Sequence, residues 1–352
     1  MHRLLALLPC LIACASHAAD PLPLSRDIKD WNVTCDNLRT CTALSTHAAS
    51  AEADALSFPL RIVREAGPDG ALRVSVFSYN AIHGDPLIDA KPVSMPLQPH
   101  QGSADDVSQV PELRSATGGD ALTFVKALRN AHALAFDTPD GPTSASLNGM
   151  RAALLLIDDV QGRVGTVTAL ANPGDAPAGS VPAAPASLVI PAWSAPAPLD
   201  KAQAEQVLKA AMAATRADWQ QDLVDGDEPN GEVHALNARE ALLIVRTGCG
   251  AYNCAYSLYL APLAHPEQAH AAPFERVANL PDLAPNGSVA FDPATGELTS
   301  LALATGMGGC GVAARWRYDG ARFVLSRAAQ MSACTGLNER DWPVLWQSAS
   351  KR

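Results

Sequence analysis

Trp31-Asn32-Val33-Thr34-Cys35-Asp36-Asn37-Leu38-Arg39-Thr40-Cys41-Thr42-Ala43-Leu44-Ser45 reads as two short strands folded back on each other. Trp, Val and Thr suit a pleated, half-buried surface, Asp36-Asn37 supplies the turn, and a cysteine flanks it on each side, so a hairpin clipped by its own disulfide is predicted. Outward from it the first half continues in strands. Residues 56–64 and 72–79 pair around Ala66-Gly67-Pro68-Asp69-Gly70, where proline presets φ and glycine permits positive φ. Two helices follow. Over 120–130, Leu122, Val125 and Leu128, with Phe124 beside them, fall at helical spacing behind Asp120. Over 149–160 the run 152–157 is apolar nearly all round and is expected to be buried.

Pro177, Pro182, Pro185, Pro191, Pro196 and Pro198 then interrupt a stretch rich in alanine and serine. Proline removes backbone donors and fixes φ, so this segment holds neither a helix nor an internal strand and reads as a semi-rigid extended connector. Trp193 within it is expected to dock on a neighbouring domain. Beyond it, 200–213 reads as a helix with Asp200 as N-cap. Residues 241–246, 256–260, 298–304, 313–318 and 322–326 read as strands, with a turn at Tyr318-Asp319-Gly320-Ala321. The expected fold class is α+β: two mainly antiparallel β domains with a few packed helices, over 20–172 and 199–352, joined by a Pro/Ala-rich linker over 173–198.

Eight cysteines occur, and two of them, Cys10 and Cys14, lie in an apolar N-terminal leader. The other six fall as three close pairs, Cys35/Cys41, Cys249/Cys254 and Cys310/Cys334, one pair in the first expected domain and two in the second, as for a disulfide scaffold in an oxidising compartment. The leader carries Arg3, apolar residues over 4–8 and 11–13, and small residues ending Ser16-His17-Ala18. Two readings of it stand: a secretory signal over 1–18 cleaved after Ala18, or a lipoprotein leader over 1–13 with Cys14 acylated. Its apolar run is too short to span a bilayer, so membrane attachment is expected only through an acylated Cys14. The location read from this is periplasmic, or lipid-anchored in the envelope.

With 26 basic and 36 acidic residues the net charge is −10, which argues against nucleic acid and anionic membrane surfaces as partners. Arg315 and Arg317 are the nearest approach to a basic patch and read as a solvated strand face. Motifs with chemistry fail one by one. Gly306-Met307-Gly308-Gly309-Cys310-Gly311 has dinucleotide-type glycine spacing, but a strand rather than a helix is predicted after it. Asp225-Gly226-Asp227-Glu228-Pro229-Asn230-Gly231-Glu232 is acidic, yet proline stands at the fifth calcium-loop position, and Leu236 at the twelfth. His265 and His270 have no ligand spacing, and no nucleophile elbow occurs. Ser348-Ala349-Ser350-Lys351 lies where the chain is expected to fray. Asp158 and Asp159 read as capping the turn before Gly162, not as an acid–base pair. No residue is assigned a catalytic, cofactor-binding or metal-binding role, and no cofactor is expected.

Several stretches resemble the exported bacterial family known as domain of unknown function 1176: Trp31 to Asn37 with Arg39-Thr40-Cys41, Arg64 to Gly70, Leu147-Asn148-Gly149-Met150, Asp158 to Thr166, Gly250-Ala251-Tyr252-Asn253, Trp316 to Gly320 with Phe323 and Leu325, and Trp342-Pro343. The first half is also distantly similar to invasion-associated locus B proteins, a family linked with the envelope and host-cell contact. Neither resemblance supplies a catalytic residue. The expected function is non-enzymatic binding of another protein or an envelope component. The alternatives are a cell-wall-acting hydrolase built from scattered carboxylates, an inhibitor of a basic lytic enzyme, and a purely structural module.

Overall fold

A computed structural model describes residues 21–49, 57–99, 111–224, 226–280, 283–306 and 308–350. The leader with Cys14, together with Leu56, Asp225, Met307 and Lys351, lies outside the described residues.

The chain opens with an antiparallel meander, β1 (Leu24–Ile28), β2 (Trp31–Cys35), β3 (Cys41–Ser45), β4 (Leu60–Arg64) and β5 (Leu72–Phe77). It continues through β6 (His83–Ile88), β7 (Lys91–Pro92), β8 (Gln98–Pro99), β9 (Glu112–Thr117), α1 (Gly118–Leu128), β10 (Ala133–Thr138), β11 (Gly141–Ser146) and α2 (Met150–Val160). A seven-stranded sheet runs β1-β2-β3-β4-β5-β9-β8, and a four-stranded one runs β11-β10-β6-β7. Alternation sets the first core. Leu60 and Ile62 of β4 and Leu72, Val74 and Val76 of β5 point to one side, where Phe124, Val125 and Leu128 of α1 lie over β5 and β9, and Ala153, Leu154 and Ile157 of α2 extend the same core over β1 to β3.

The predicted clipped hairpin is present, with Cys35 and Cys41 opposite each other in register and bonded. The predicted all-round burial of α2 is not observed. Arg151 and Ala152 are exposed and Leu155 is 43% exposed, because the helix lies on a sheet and turns its far side to solvent. Its N-cap, Gly149, has φ +98, and a Cβ there would stand 2.5 Å from the Ile28 carbonyl oxygen, so helix and β1 meet at a point only glycine allows.

The second half comprises β12 (Val189–Ile190), α3 (Lys201–Ala214), α4 (Arg216–Trp219), β13 (Asn230–Ala235), β14 (Glu240–Cys249), β15 (Cys254–Pro262), β16 (His270–Ala271), β17 (Ser288–Asp292), β18 (Glu297–Leu303), β19 (Gly311–Tyr318), β20 (Phe323–Met331), β21 (Val344–Gln347) and β22 (Ala349–Ser350). Asp200 caps α3 as predicted, accepting from Gln203 N at 2.9 Å in a capping box. Two antiparallel sheets, β13-β14-β15-β16 and β17-β18-β19-β20-β21, enclose Leu242, Ile244, Leu260, Leu298, Trp316, Phe323 and Leu325, and α3 covers the outer face of the first through Val207 and Ala211. The architecture is therefore α+β and mostly antiparallel, as the sequence predicts.

Trp193 anchors the proline-rich segment. Its indole N–H donates to the Pro293 carbonyl at 3.1 Å, and its ring meets Phe291 edge-on over Gly296, in the turn between β17 and β18. Upstream, β12 pairs in parallel with β22, so Ser348, expected to fray, is held instead, its hydroxyl donating to the Leu325 carbonyl at 3.1 Å.

The outer faces of the two largest sheets also meet. In β19 and β20, Ala314 and Ala328 face the second core, whereas Ala313, Ala329 and Met331 face the other way and pack with Trp342 against Leu44 of β3 and Phe77 of β5. Polar contacts ring this shared cluster. Arg61 donates to the Asp341 carboxylate at 2.9 Å and to its carbonyl at 2.8 Å. Asn37 exchanges two hydrogen bonds with the Gln347 backbone, at 3.0 and 2.9 Å, and the Gln347 amide donates to Asp36.

Candidate functional site

A cleft of about 230 Å³ opens beside this junction, with one wall from β1–β3 and the other from the end of β20. Pairing of Ile28 with Trp31 makes Lys29-Asp30 a two-residue hairpin turn, and Lys29 sits at φ +53, a position that usually selects glycine. The turn is pinned beneath: Lys29 Nζ donates to Asn148 Oδ1 at 3.2 Å, Ser146 Oγ donates to Asp30 Oδ2 at 2.6 Å, and Trp31 Nε1 donates to the Ser146 carbonyl at 3.1 Å. Leu44 and Met331 form a buried apolar floor, bordered by Trp31, whose indole packs into the first core on the other face of the sheet. Around it stand Asp27, Asp30 and Asn32 on one side and Gln330 and Ser332 on the other, with exposed His47 at the margin. Asp27 is oriented by Asn32, whose amide donates to its Oδ1 at 2.8 Å.

Two of the larger clefts offer less chemistry. One of about 610 Å³, between the proline-rich segment and α3, is lined by residues such as Pro196, Pro198, Leu199 and Val207 and by no titratable side chain. In the other, of about 520 Å³, the carboxylate of Glu275 is engaged by the Leu325 N–H at 3.1 Å and by Arg322 at 3.5 Å.

Two carboxyls are pushed upward. Asp36 is fully buried; burial raises its carboxyl to about 6, against hydrogen bonds from Thr40 N, the Gln347 amide and Leu38 N that favour the charged form. Burial likewise raises Asp158, opposed by the Leu170 and Ala171 N–H groups at 2.9 and 2.8 Å and by the charges of Arg163 and Arg64. This corrects its expected role: the Asp158 carboxylate fastens the loop twelve residues on, while Gly162 N is taken by the Asp159 carbonyl. Arg163 completes that fastening, donating to Gln161 Oε1, Thr168 Oγ1 and the Gly67 carbonyl. Neither Asp36 nor Asp158 lines any of these clefts.

The other candidates resolve into scaffold. All three predicted cysteine pairs are bonded, Cys35–Cys41, Cys249–Cys254 and Cys310–Cys334. The glycine-rich stretch before Gly311 leads into strand β19, with no helix to face a phosphate. Asp227 accepts from Cys249 N at 2.8 Å, and the acidic stretch already enters β13 at Asn230. Among the described residues no group of three or more His, Cys, Asp or Glu is placed to hold a metal. His265 Nδ1 stands 3.2 Å from Glu267 Oε1, and His270 begins β16. Arg315 and Arg317 do not form an open basic face: Arg315 is paired with Glu339 at 2.9 Å and Glu297 at 3.4 Å, and Arg317 with Glu297 at 3.8 Å. Asn253, at the disulfide-closed tip of β14–β15, exchanges two hydrogen bonds with the Leu303 backbone and so clamps one sheet to the other.

Of the cleft, the sequence marked Trp31, Asn32 and Pro343 through the family-like stretches at the two ends of the chain. It did not mark Gln330 to Ala333, since the strand expected over 322–326 stops short of them. An apolar alternation carried on to Met331 was the available signal.

Uncharacterized protein YpfG of Escherichia coli (strain K12) is 31% identical over 359 residues, covering 97% of this chain and 96% of its own length. The crystal structure of invasion associated protein B from Bartonella henselae is 19% identical, with 40% of this chain and 99% of that one covered, but at a TM-score of 0.24 it carries no argument. A family model described as protein of unknown function (DUF1176) matches residues 25–349, nearly the whole described structure, and the chain belongs to that family.

Proposed function

We propose that the protein is a non-enzymatic binding protein of the periplasm or envelope, its two β-rich units, 20–172 and 199–352, joined through the segment 173–198 and holding a ligand or partner in the cleft between them. One observation carries this reading: the cleft is walled by both halves of the chain and combines a buried apolar floor with oriented polar groups, the composition of a binding site. The three disulfides suit a compartment outside the reducing cytoplasm. Among the described residues no helix is long and apolar enough to cross a membrane. A glycan or peptide hydrolase calls for paired carboxyls, at least one raised, facing substrate. The raised carboxyls, Asp36 and Asp158, are instead spent on Gln347 and on backbone amides, which weighs against hydrolysis.

A photo-crosslinking residue at exposed Ser332, on the cleft wall, tests the reading in cells, with exposed Ala294 on the β17–β18 turn as control. A discrete adduct from 332 and none from 294 is expected. No adduct from 332, or the same adducts from both positions, refutes the cleft as the binding site.

A further inference from the structure

We infer that the cleft between the β1–β2 turn and the end of β20 receives a single cationic side chain, arginine or lysine, presented by a basic polypeptide; this deepens the reading of the cleft as a binding site and rests on it. Size is the first argument. At about 230 Å³ the cleft falls below the ~300–1,000 Å³ of pockets that enclose a whole drug-sized ligand, and suits one long side chain. The second is the floor. Leu44 and Met331 are each 3% exposed and offer an apolar bed for a methylene stem.

Charge is the third argument. Asp27 and Asp30 stand on the rim above that floor, each with one carboxylate oxygen fixed by a neutral donor, Asn32 Nδ2 at 2.8 Å and Ser146 Oγ at 2.6 Å. Neutral donors hold a carboxylate without cancelling its charge, so both anions on the rim remain available to an ammonium or guanidinium. Lys29 shares the rim, and its ammonium is engaged by Asn148 Oδ1 at 3.2 Å. The chain's net charge of −10 adds long-range attraction for a basic partner and repels an acidic one.

The test uses the full chain with its disulfides intact and two short Gly/Ser peptides, one with a central arginine and one with citrulline, which keeps the shape and removes the charge. NMR titration at low and high salt should show the arginine peptide perturbing the Leu44 and Met331 methyl resonances, with the citrulline peptide about tenfold weaker. Asp27→Asn/Asp30→Asn keeps an oxygen for Asn32 and for Ser146, and should abolish the preference for arginine while leaving the melting temperature near that of the unaltered chain. Should that double variant unfold, Ser332→Trp, at an exposed wall position, is expected to block the arginine peptide. Equal affinity for the two peptides, or no binding of the arginine peptide, overturns the inference. Equal binding that Ser332→Trp removes overturns the inference and leaves the cleft reading standing, whereas failure of crosslinking from residue 332 removes the cleft reading beneath it.

Discussion

Acidification should stabilise this protein through Asp36. Its carboxyl titrates at about 6 when folded, against 3.8 for the ordinary side chain, a difference of just over two pK units. At about 1.36 kcal/mol per unit, the folded state gains up to about 3 kcal/mol from the proton it holds. The direction follows from proton counting. Between the unfolded and folded values the native state binds more proton than the unfolded one, so the gain is complete below about pH 4 and is lost as pH rises through about 6. Other carboxyls titrate over the same range, and Asp158 is raised as well, so the measurement is a difference against Asp36→Asn. Asparagine keeps an oxygen for the Leu38 and Thr40 N–H groups, both at 2.8 Å, and a flip of the Gln347 amide lets it accept the new N–H. Urea unfolding followed by tryptophan fluorescence, at intervals from about pH 4 to about pH 7.5, gives both stabilities. Relative to the variant, the unaltered protein should lose about 2.5 kcal/mol across that range, most of it between about pH 4 and pH 6. A difference that stays constant with pH, or that grows in favour of the unaltered protein on the alkaline side, refutes the reasoning.

Gly296→Ala should destabilise by about 1–3 kcal/mol, since φ is +67 and the new Cβ would stand 2.2 Å from the Trp193 ring; faster quenching of Trp193 by acrylamide would show the ring lifting from its seat. Arg61→Ala removes the closer of two guanidiniums at half-buried Asp341, leaving Arg340 at 3.8 Å, and should cost about 1–3 kcal/mol in chemical denaturation, with Arg61→Lys restoring only part. Replacing Cys249 and Cys254 by serine should cost about 2 kcal/mol and replacing Cys310 and Cys334 about 3.5, following loop length; the reverse order in calorimetry would contradict the chain-entropy account.

Local chemistry was legible and distant pairing was not. The β2–β3 hairpin, β4, β5, α3 with its Asp200 cap, and β14, β15, β18, β19 and β20 announce themselves through alternation, turn residues and capping. The strands from β6 to β11 were missed because they break those rules: β6 is His-Gly-Asp-Pro-Leu-Ile and β11 Gly-Pro-Thr-Ser-Ala-Ser, poor strand formers held by their neighbours in the sheet. For α2 the nearly uniform apolar pattern left no way to say which face would be covered, and tertiary packing chose the side that leaves Leu155 in solvent. Asp36 read correctly as a turn residue, since its carboxylate does accept from Leu38 and Thr40. Its other oxygen meets Gln347, more than three hundred residues away, and no local pattern encodes that meeting. The same distance separates the two walls of the cleft.

The apolar cluster that joins the two large sheets also sets an order of events during synthesis. Leu44 and Phe77 lie in the part of the chain made first, yet the side chains that cover them, Ala313, Ala329, Met331 and Trp342, come more than two hundred residues later. At a synthesis rate of ~5–20 residues per second, that surface waits on the order of 10–50 seconds for its cover. For that interval the early sheet offers a greasy face to any neighbour, so a nascent or truncated chain ending near residue 172 should be sticky where the finished protein is sealed.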